Sequence, residues 1–400
     1  MPKREEGTLS WLRGVNRERL VDALRRSERL SQADLARLTG LSRTTVSSLV
    51  AELKGEGLVR EVAVARPGRR GGRPALQLML EEGRKAVVGI DFGHSHVLVA
   101  IAEPGPHILA ERSVALDVDH DARAALDTAA RLVDEVISAA GLGPEGLIGV
   151  GMGVPGPVDR ARGTVGSTTI LPAWTGLHIA DEIGGRLGRS VEIDNDANLG
   201  ALAELMWGAG RGCSDFVYIK VATGVGAGLV VDGRPLRGVS GTAGEIGHLT
   251  LDEGGALCYC GNRGCLETLA SGASVQRLVN ADADLSHTLT EIIDLALAGD
   301  VRCRRAITDA GREIGIAVAG VCNLLNPQRV IVGGALSAAG PILLDPMRAS
   351  LHRHAVLAAA QVVEVAQATF GERAELMGAL ALALHESRRP TGGPAAVGVP

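Results

Sequence analysis

The stretch that most constrains this chain begins Gly244-Glu-Ile-Gly-His248 and resumes as Cys258-Tyr-Cys-Gly-Asn-Arg-Gly-Cys-Leu-Glu267. Three of the six cysteines crowd into eight residues there, poor spacing for a disulfide framework in a chain of this length. One histidine and three thiolates make a closed tetrahedral zinc set, and closely spaced thiolates with turn glycines are how small structural sites fold. His248, Cys258, Cys260 and Cys265 are therefore the candidate ligands of a structural Zn2+. The Cys-x-Cys spacing is tighter than the usual Cys-x-x-Cys, so unliganded buried thiols stay open as the alternative. Glu245 and Glu267 flank the ligands, and a metal knot would position both carboxylates with no open coordination position for water. Cys213, Cys303 and Cys322 read as small buried hydrophobes.

From Ala86 onward the pattern is that of an α/β body. Apolar runs at Val87–Gly93, Val97–Ala102, Gly146–Val154, Val191–Ile193, Phe216–Val221, Gly228–Val231 and Val330–Gly334 read as strands. Helical patterns fall at Ala122–Ala140, Ile179–Leu187, Ala197–Trp207, within Arg304–Leu325, and at about 373–387. Strands alternating with helices predict stacked α/β units. Three of the strands run into glycine turns: Asp91-Phe-Gly93, Thr223-Gly-Val-Gly-Ala-Gly228 and Gly333-Gly334. Glycine lets backbone N–H groups crowd around phosphate or sugar oxygens; each turn alone is weak, since 54 of 400 residues are glycine. Asn195-Asp196-Ala-Asn198 stands where a strand meets a helix. Such a carboxylate can accept a hydrogen bond or a proton from a polyol, and an ordinary helix N-cap is the competing reading.

The first 85 residues differ in kind. They carry 18 Lys and Arg against 11 Asp and Glu, a balance of +7, whereas residues 86–400 carry 23 against 35, a balance of −12. Residues 15–26 have the apolar spacing of an amphipathic helix. Ser31 with Asp34 makes a capping box, Gly40 permits a turn, and Ser42 caps a second helix buried through Val46, Leu49, Val50 and Leu53. Two short helices joined by a glycine turn form a helix-turn-helix pattern, or an ordinary helical pair. The second helix would offer Ser42, Arg43, Thr44, Thr45 and Ser47 to base edges in a major groove. Strands at Leu58–Val64 and Ala75–Leu80 bracket Arg66-Pro-Gly-Arg-Arg-Gly-Gly-Arg-Pro74. That segment reads as the wing of a winged helix-turn-helix, with Arg69, Arg70 and Arg73 suited to a narrow minor groove; a solvated linker is the alternative.

Taken together, the knot, the glycine turns and the Asn-Asp pair give a chain that resembles the ROK family (repressor, ORF, kinase), on the sugar-kinase branch of the actin-like fold. The resemblance runs from about Val88 to Leu384. It implies a two-lobed, ribonuclease H-like body: 86–196 as a small α/β lobe rejoined by the helix at about 373–387, and 197–372 as a large lobe carrying the zinc site, the sugar contacts and oligomerisation. With residues 1–82 as the winged module and 388–400 as a disordered tail, the layout is that of the repressor members. The resemblance implies Zn2+ on His248, Cys258, Cys260 and Cys265, and a sugar held by Asn195, Asp196, Glu245, His248 and Glu267 between two lobes. In kinase members the residue matching Asp196 is the general base. Asp91, Gly93, Gly224 and Gly226 match the phosphate loops. Kinases continue Asp-x-Gly with Gly-Thr, whereas this chain has His94-Ser-His96; a histidine there is expected to crowd a nucleotide.

These readings predict a cytoplasmic, sugar-responsive transcriptional regulator, most simply a repressor. It would bind a near-palindromic double-stranded operator as a homodimer or homotetramer and have no catalytic residue. An ATP-dependent hexose or N-acetylhexosamine kinase with a DNA-binding appendage is the second reading, and a constitutive DNA-binding protein with a purely structural body is the third. Eight aromatic residues in 400 argue against single-stranded nucleic acid, whose bases stack on aromatic platforms. No apolar run is long enough for a membrane span, and the Met-Pro-Lys-Arg start has no signal-peptide core.

Overall fold

A computed structural model of the chain describes residues 16–55 (apart from 18, 25–26 and 28), 59–64, 75–80, 85–160, 162–165, 171–281 and 286–387. The chain divides into two compact units, Met1–Lys85 and Ala86–Pro400.

In the first unit α1 (Gln32–Thr39) starts at a capping box. The Ser31 hydroxyl accepts the Asp34 N–H while the Asp34 carboxylate accepts the Ser31 N–H. Gly40 closes α1 at φ 71°, a left-handed conformation cheap only for glycine. α2 (Arg43–Gly55) is capped by Ser42, whose hydroxyl accepts the Thr45 N–H. β1 (Val59–Val64) pairs antiparallel with β2 (Ala75–Leu80). Leu20, Leu24, Leu35, Val46, Leu49, Val50, Leu53, Val59 and Leu78 fill one small core. Arg69, Arg70 and Arg73 of the expected wing lie outside the described residues, as does the expected tail.

The second unit opens with β3 (Ala86–Phe92), β4 (His96–Ala102), β5 (Ile108–Ala115), α3 (Ala122–Ala139), β6 (Leu147–Val154), the short pair β7 (Val158–Asp159) and β8 (Thr164–Val165), α4 (Ile179–Leu187) and β9 (Glu192–Asn195). Its first sheet has the order β5-β4-β3-β6-β9. The chain continues through α5 (Asp196–Trp207), β10 (Phe216–Val221), β11 (Val225–Val231), β12 (Arg234–Leu236), α6 (Leu266–Ala270), α7 (Gly272–Val279), α8 (Leu289–Ala298), α9 (Val301–Leu325), β13 (Arg329–Gly333), α10 (Pro341–His354), α11 (Leu357–Val362) and β14 (Glu364–Gln367). The second sheet has the order β12-β11-β10-β13-β14.

The two sheets repeat one plan. In each, the first strand lies in the middle, with an antiparallel meander on one side and two parallel crossover strands in succession on the other. α12 (Ala374–Ser387) returns to pack on β3 and β6 of the first sheet and against α5. Glycine makes the crossing possible: a Cβ on Gly378 of α12 would stand 2.1 Å from the Leu199 carbonyl oxygen of α5. The body is thus a mixed α/β, sugar-kinase-like fold of duplicated halves.

The structure corrects one boundary that bears on the site. β11 begins at Val225, not at Gly228, so Gly226 and Gly228 are strand residues facing α5, and only the turn at Ala222–Gly224 is left as a loop. Among the described residues no helix is long and apolar enough to cross a membrane.

Candidate functional site

The loop between β12 and α6 is held by backbone hydrogen bonds before any ligand is considered. Cys258 N–H donates to the Asn262 carbonyl, Gly264 N–H to Ala256, and Leu251 N–H to Gly264. Gly264 has φ 58°, and a Cβ there would lie 1.6 Å from the Asp252 carbonyl oxygen, so this turn admits only glycine. His248 ends a short helical turn, and Cys265 immediately precedes α6. The result gathers His248, Cys258, Cys260 and Cys265, with one potential ligand atom from each lying within 4.8 Å of all the others. His248 Nδ1 is 3.7 Å from Cys258 Sγ, and Cys260 Sγ is 3.7 Å from Cys265 Sγ. The cluster can hold a metal ion.

His248 therefore faces two ways. Its Nε2 is 3.2 Å from the Tyr259 hydroxyl and 3.7 Å from Glu245 Oε2. Glu267, on the first turn of α6, reaches the β10–β11 turn, where its Oε2 accepts the Val225 N–H at 3.3 Å. Burial pushes the Glu245 carboxyl up to about 7, and the nearby charges of Asp196 and Glu267 add to the rise. Asp196, Glu245, Glu267 and His248 thus share one electrostatic neighbourhood, although three separate segments supply them.

Asn195 is the helix N-cap of the two readings that the sequence left open. Its Oδ1 caps α5 by accepting the Ala197 and Asn198 N–H groups, and its Nδ2 donates to the Gly156 carbonyl. One Nδ2 hydrogen remains for a ligand. Asp196 begins α5, and its Oδ2 is 2.8 Å from Lys220 Nζ. Lys220 in turn lies 3.1 Å from Glu375 Oε1 at the start of α12.

The sequence reading missed this lysine and Glu375, yet a signal was present. Lys220 is the one charge in an apolar strand and Glu375 a buried carboxyl at the start of a largely apolar helix, and charges withdrawn from water require partners. It also missed Arg237, which binds the buried Asp194 carboxylate through Nε at 2.7 Å and holds the segment leading to Glu245 against the end of β9.

At the Asp91–Gly93 turn the two histidines take different places. His94 turns aside and its Nδ1 lies 2.9 Å from Asp119 Oδ1. His96 instead covers Gly93, where a Cβ would stand 2.2 Å from its ring, and its Nε2 is 3.8 Å from Asp91 Oδ2. Asp91 is buried at the end of β3. Gly224 lies against the Glu267 carboxylate, so this turn faces the acidic cluster.

In the first unit Ser42, Arg43, Thr44 and Ser47 are exposed at the start of α2. Thr45 is half-buried, and its hydroxyl is tied to that of Ser42 at 2.8 Å.

The sequence profile of the ROK family matches residues 87–386, and that of the MarR family matches residues 19–70. A xylose repressor of Bacillus subtilis is 30% identical over 370 residues, covering 92% of this chain and 94% of that protein. A crystal structure of a ROK family transcriptional regulator, a homolog of the Escherichia coli MLC protein, superposes with TM-score 0.69 at 26% identity, covering 94% of this chain and 96% of that one. A ROK family glucokinase from Streptomyces griseus, solved with glucose and AMPPNP, superposes with TM-score 0.68 at 29% identity but covers only 75% of this chain, and 99% of its own. With its whole α/β body matched and a MarR-type winged helix-turn-helix in front of it, the chain belongs to the ROK family.

Proposed function

We propose that this protein is a sugar-responsive, DNA-binding transcriptional repressor of carbohydrate uptake or catabolism genes. One observation carries the reading: a single chain joins an exposed polar helix start in a basic unit to an acidic, hydroxyl-reading cluster on a sugar-kinase-like body. Asp196, Glu245 and Glu267 offer carboxylate acceptors. His248 Nε2 and the free Nδ2 hydrogen of Asn195 add polar contacts, the arrangement that a polyol requires.

The ligand of the cysteine cluster is Zn2+ in this reading. Ordinary Zn–S and Zn–N distances put neighbouring tetrahedral ligand atoms about 3.5–3.8 Å apart, and the 3.7 Å separations fit. Bound there, it supplies a fixed structural charge and no reactive water. His248, committed through Nδ1, then presents Nε2 in one orientation beside Glu245. Removing the ligand set would free the loop that carries Glu245 and the helix start that carries Glu267.

Two recognition helices in a homodimer would meet the half-sites of a near-palindromic operator. Sugar bound between the two halves of the body favours one of their arrangements and so changes operator affinity. A coupling of ~1–3 kcal/mol corresponds to a 5–150-fold change. Fluorescence anisotropy on the DNA upstream of the protein's own gene, titrated with free and phosphorylated hexoses and pentoses, tests this. At least one sugar should shift the midpoint by a factor in that range; invariance across the panel would sink the sensor reading.

The likeness to a glucokinase and the placement of Asp196 support a second reading, a hexose kinase with a DNA-binding appendage. Coupled ADP release with Mg-ATP that is abolished in Asp196→Asn would establish it instead.

A further inference from the structure

β10 reads Phe216-Val-Tyr-Ile-Lys-Val221, and Lys220 is its one charged side chain. An ammonium drawn out of water into such a strand is costly unless it is paired. Its partners come from both halves of the body: Asp196 Oδ2 at 2.8 Å from the start of α5, and Glu375 Oε1 at 3.1 Å from the start of α12. Burial opposes the charge on Lys220, but the Asp196 and Glu375 carboxylates outweigh it and raise its proton affinity. Asp91, buried at the end of β3, acts on the same ammonium through space. Two carboxylates from two elements thus pair with one lysine from a third, with the Asp91 charge nearby. They meet where α5, packed on the second sheet, crosses α12, packed on the first.

The lysine also fixes how Asp196 presents itself. Oδ2 is held by Lys220, while Oδ1 accepts the Ala197 N–H at 2.7 Å. Each oxygen has one donor already in place and lone-pair capacity left for a ligand hydroxyl. A carboxylate held this way is fixed in orientation as a hydrogen-bond acceptor. Phosphoryl transfer from a nucleotide has a further need, a divalent ion to neutralise the phosphates. Converging carboxylates are what such an ion binds, and here an ammonium lies among them.

We propose that Lys220 is the positioning residue that makes this body read a sugar instead of phosphorylating it: its ammonium fixes Asp196 as a hydrogen-bond acceptor and takes the place that a divalent cation would occupy among Asp91, Asp196 and Glu375. This deepens the sugar-sensor reading and rests on it for the role of Asp196. His96, covering Gly93 beside Asp91, closes the same approach from the side of β3.

The test uses the full chain. Thermal unfolding is followed in wild type, in Lys220→Met, and in Lys220→Met/Glu375→Gln, which removes one charge of each sign and keeps the proposal testable if the single variant does not fold. Each is measured without addition and with millimolar Mg2+, a hard cation that does not compete for thiolates. Wild type should not respond, whereas a folded variant lacking the lysine should gain several degrees. Mn2+ followed by electron paramagnetic resonance should show one ion bound per chain in that variant alone. A wild type that takes up the ion in a manner lost in Asp196→Asn, or folded lysine variants that ignore it, would overturn the proposal.

D-glucose and D-xylose titrated calorimetrically form the second arm. A sugar that binds wild type should bind the double variant about tenfold more weakly, through loss of a charge-assisted anchor on Asp196; equal affinity overturns the positioning role. If neither sugar binds wild type, the sensor reading loses its support, and the ion arm still decides what Lys220 does.

Discussion

At Glu375 the chain places a carboxyl where water cannot reach it. Burial pushes it up to about 7; Lys220 pulls against that shift, and the charges of Asp91 and Asp196 reinforce it. The unfolded value is near 4.5, so between these limits the folded state holds a proton that the unfolded chain releases. Stability from this group is therefore complete below about pH 4.5 and is lost as pH rises through about 7, at ~1.4 kcal/mol for each pKa unit by which the two states differ. Urea unfolding of wild type and Glu375→Gln across that window should show the advantage of wild type shrinking as pH rises. Parallel curves would mean that Glu375 titrates alike in both states. The same site shows what a sequence reveals at this scale. Asp196, Glu245 and Glu267 were legible because each sits beside a turn glycine, a cap or a cysteine that gives it a setting. Lys220 was not, since its pairing joins residues 196, 220 and 375, and only the closed fold brings them together. His94 was expected over the glycine turn, but it stands in the bend before β4 and its ring pairs with Asp119, so the ring that lies over Gly93 is that of His96 at the start of β4.

Elements were legible in proportion to their burial. β3, β6 and β10 are central and almost wholly buried, and their uninterrupted apolar runs marked them. The edge strands β5 and β14 are half-exposed, show weak alternation, and went unread; so did α10, whose internal Pro346 interrupts the helical pattern. Glycines blurred one boundary: the strand was read from Gly228, whereas β11 already begins at Val225, and Gly226 and Gly228 thin it to admit α5. The same logic sets a test at the α5–α12 crossing. Alanine exceeds glycine by ~1 kcal/mol in helix propensity. At Gly378 the new methyl would stand 2.1 Å from a backbone carbonyl oxygen that has no rotamer to escape into. Overpacking of this kind costs about 1–3 kcal/mol or more, so Gly378→Ala should lower the melting temperature. Gly185, exposed in α4 with nothing within 4 Å of an added Cβ, is the control, and Gly185→Ala should leave stability equal or raise it. A Gly378→Ala protein as stable as that control would show that the two helices do not cross so closely.

Over the whole molecule, charge is divided more sharply than the net −5 suggests, with +7 on residues 1–85 and −12 on residues 86–400. An acidic body repels phosphate, so DNA affinity must come from the small basic unit and must be strongly electrostatic. Binding of this type falls linearly on a log–log plot against salt, with a slope of about −0.9 per phosphate neutralised. Contacts to base edges change affinity without changing that slope. The residues at the start of α2 can therefore be separated by kind. Arg43→Ala should weaken operator binding and flatten the salt slope by about one unit per chain bound, provided that its guanidinium meets a phosphate. Ser47→Ala, with no charge to lose, should cost on the order of 1 kcal/mol or more on the operator, little on unrelated DNA, and nothing in slope. Anisotropy titrations at several salt concentrations read both quantities from the same curves. If Ser47→Ala weakened binding equally on operator and unrelated DNA, α2 would be gripping the backbone without reading sequence, and specificity would have to come from another part of the basic unit.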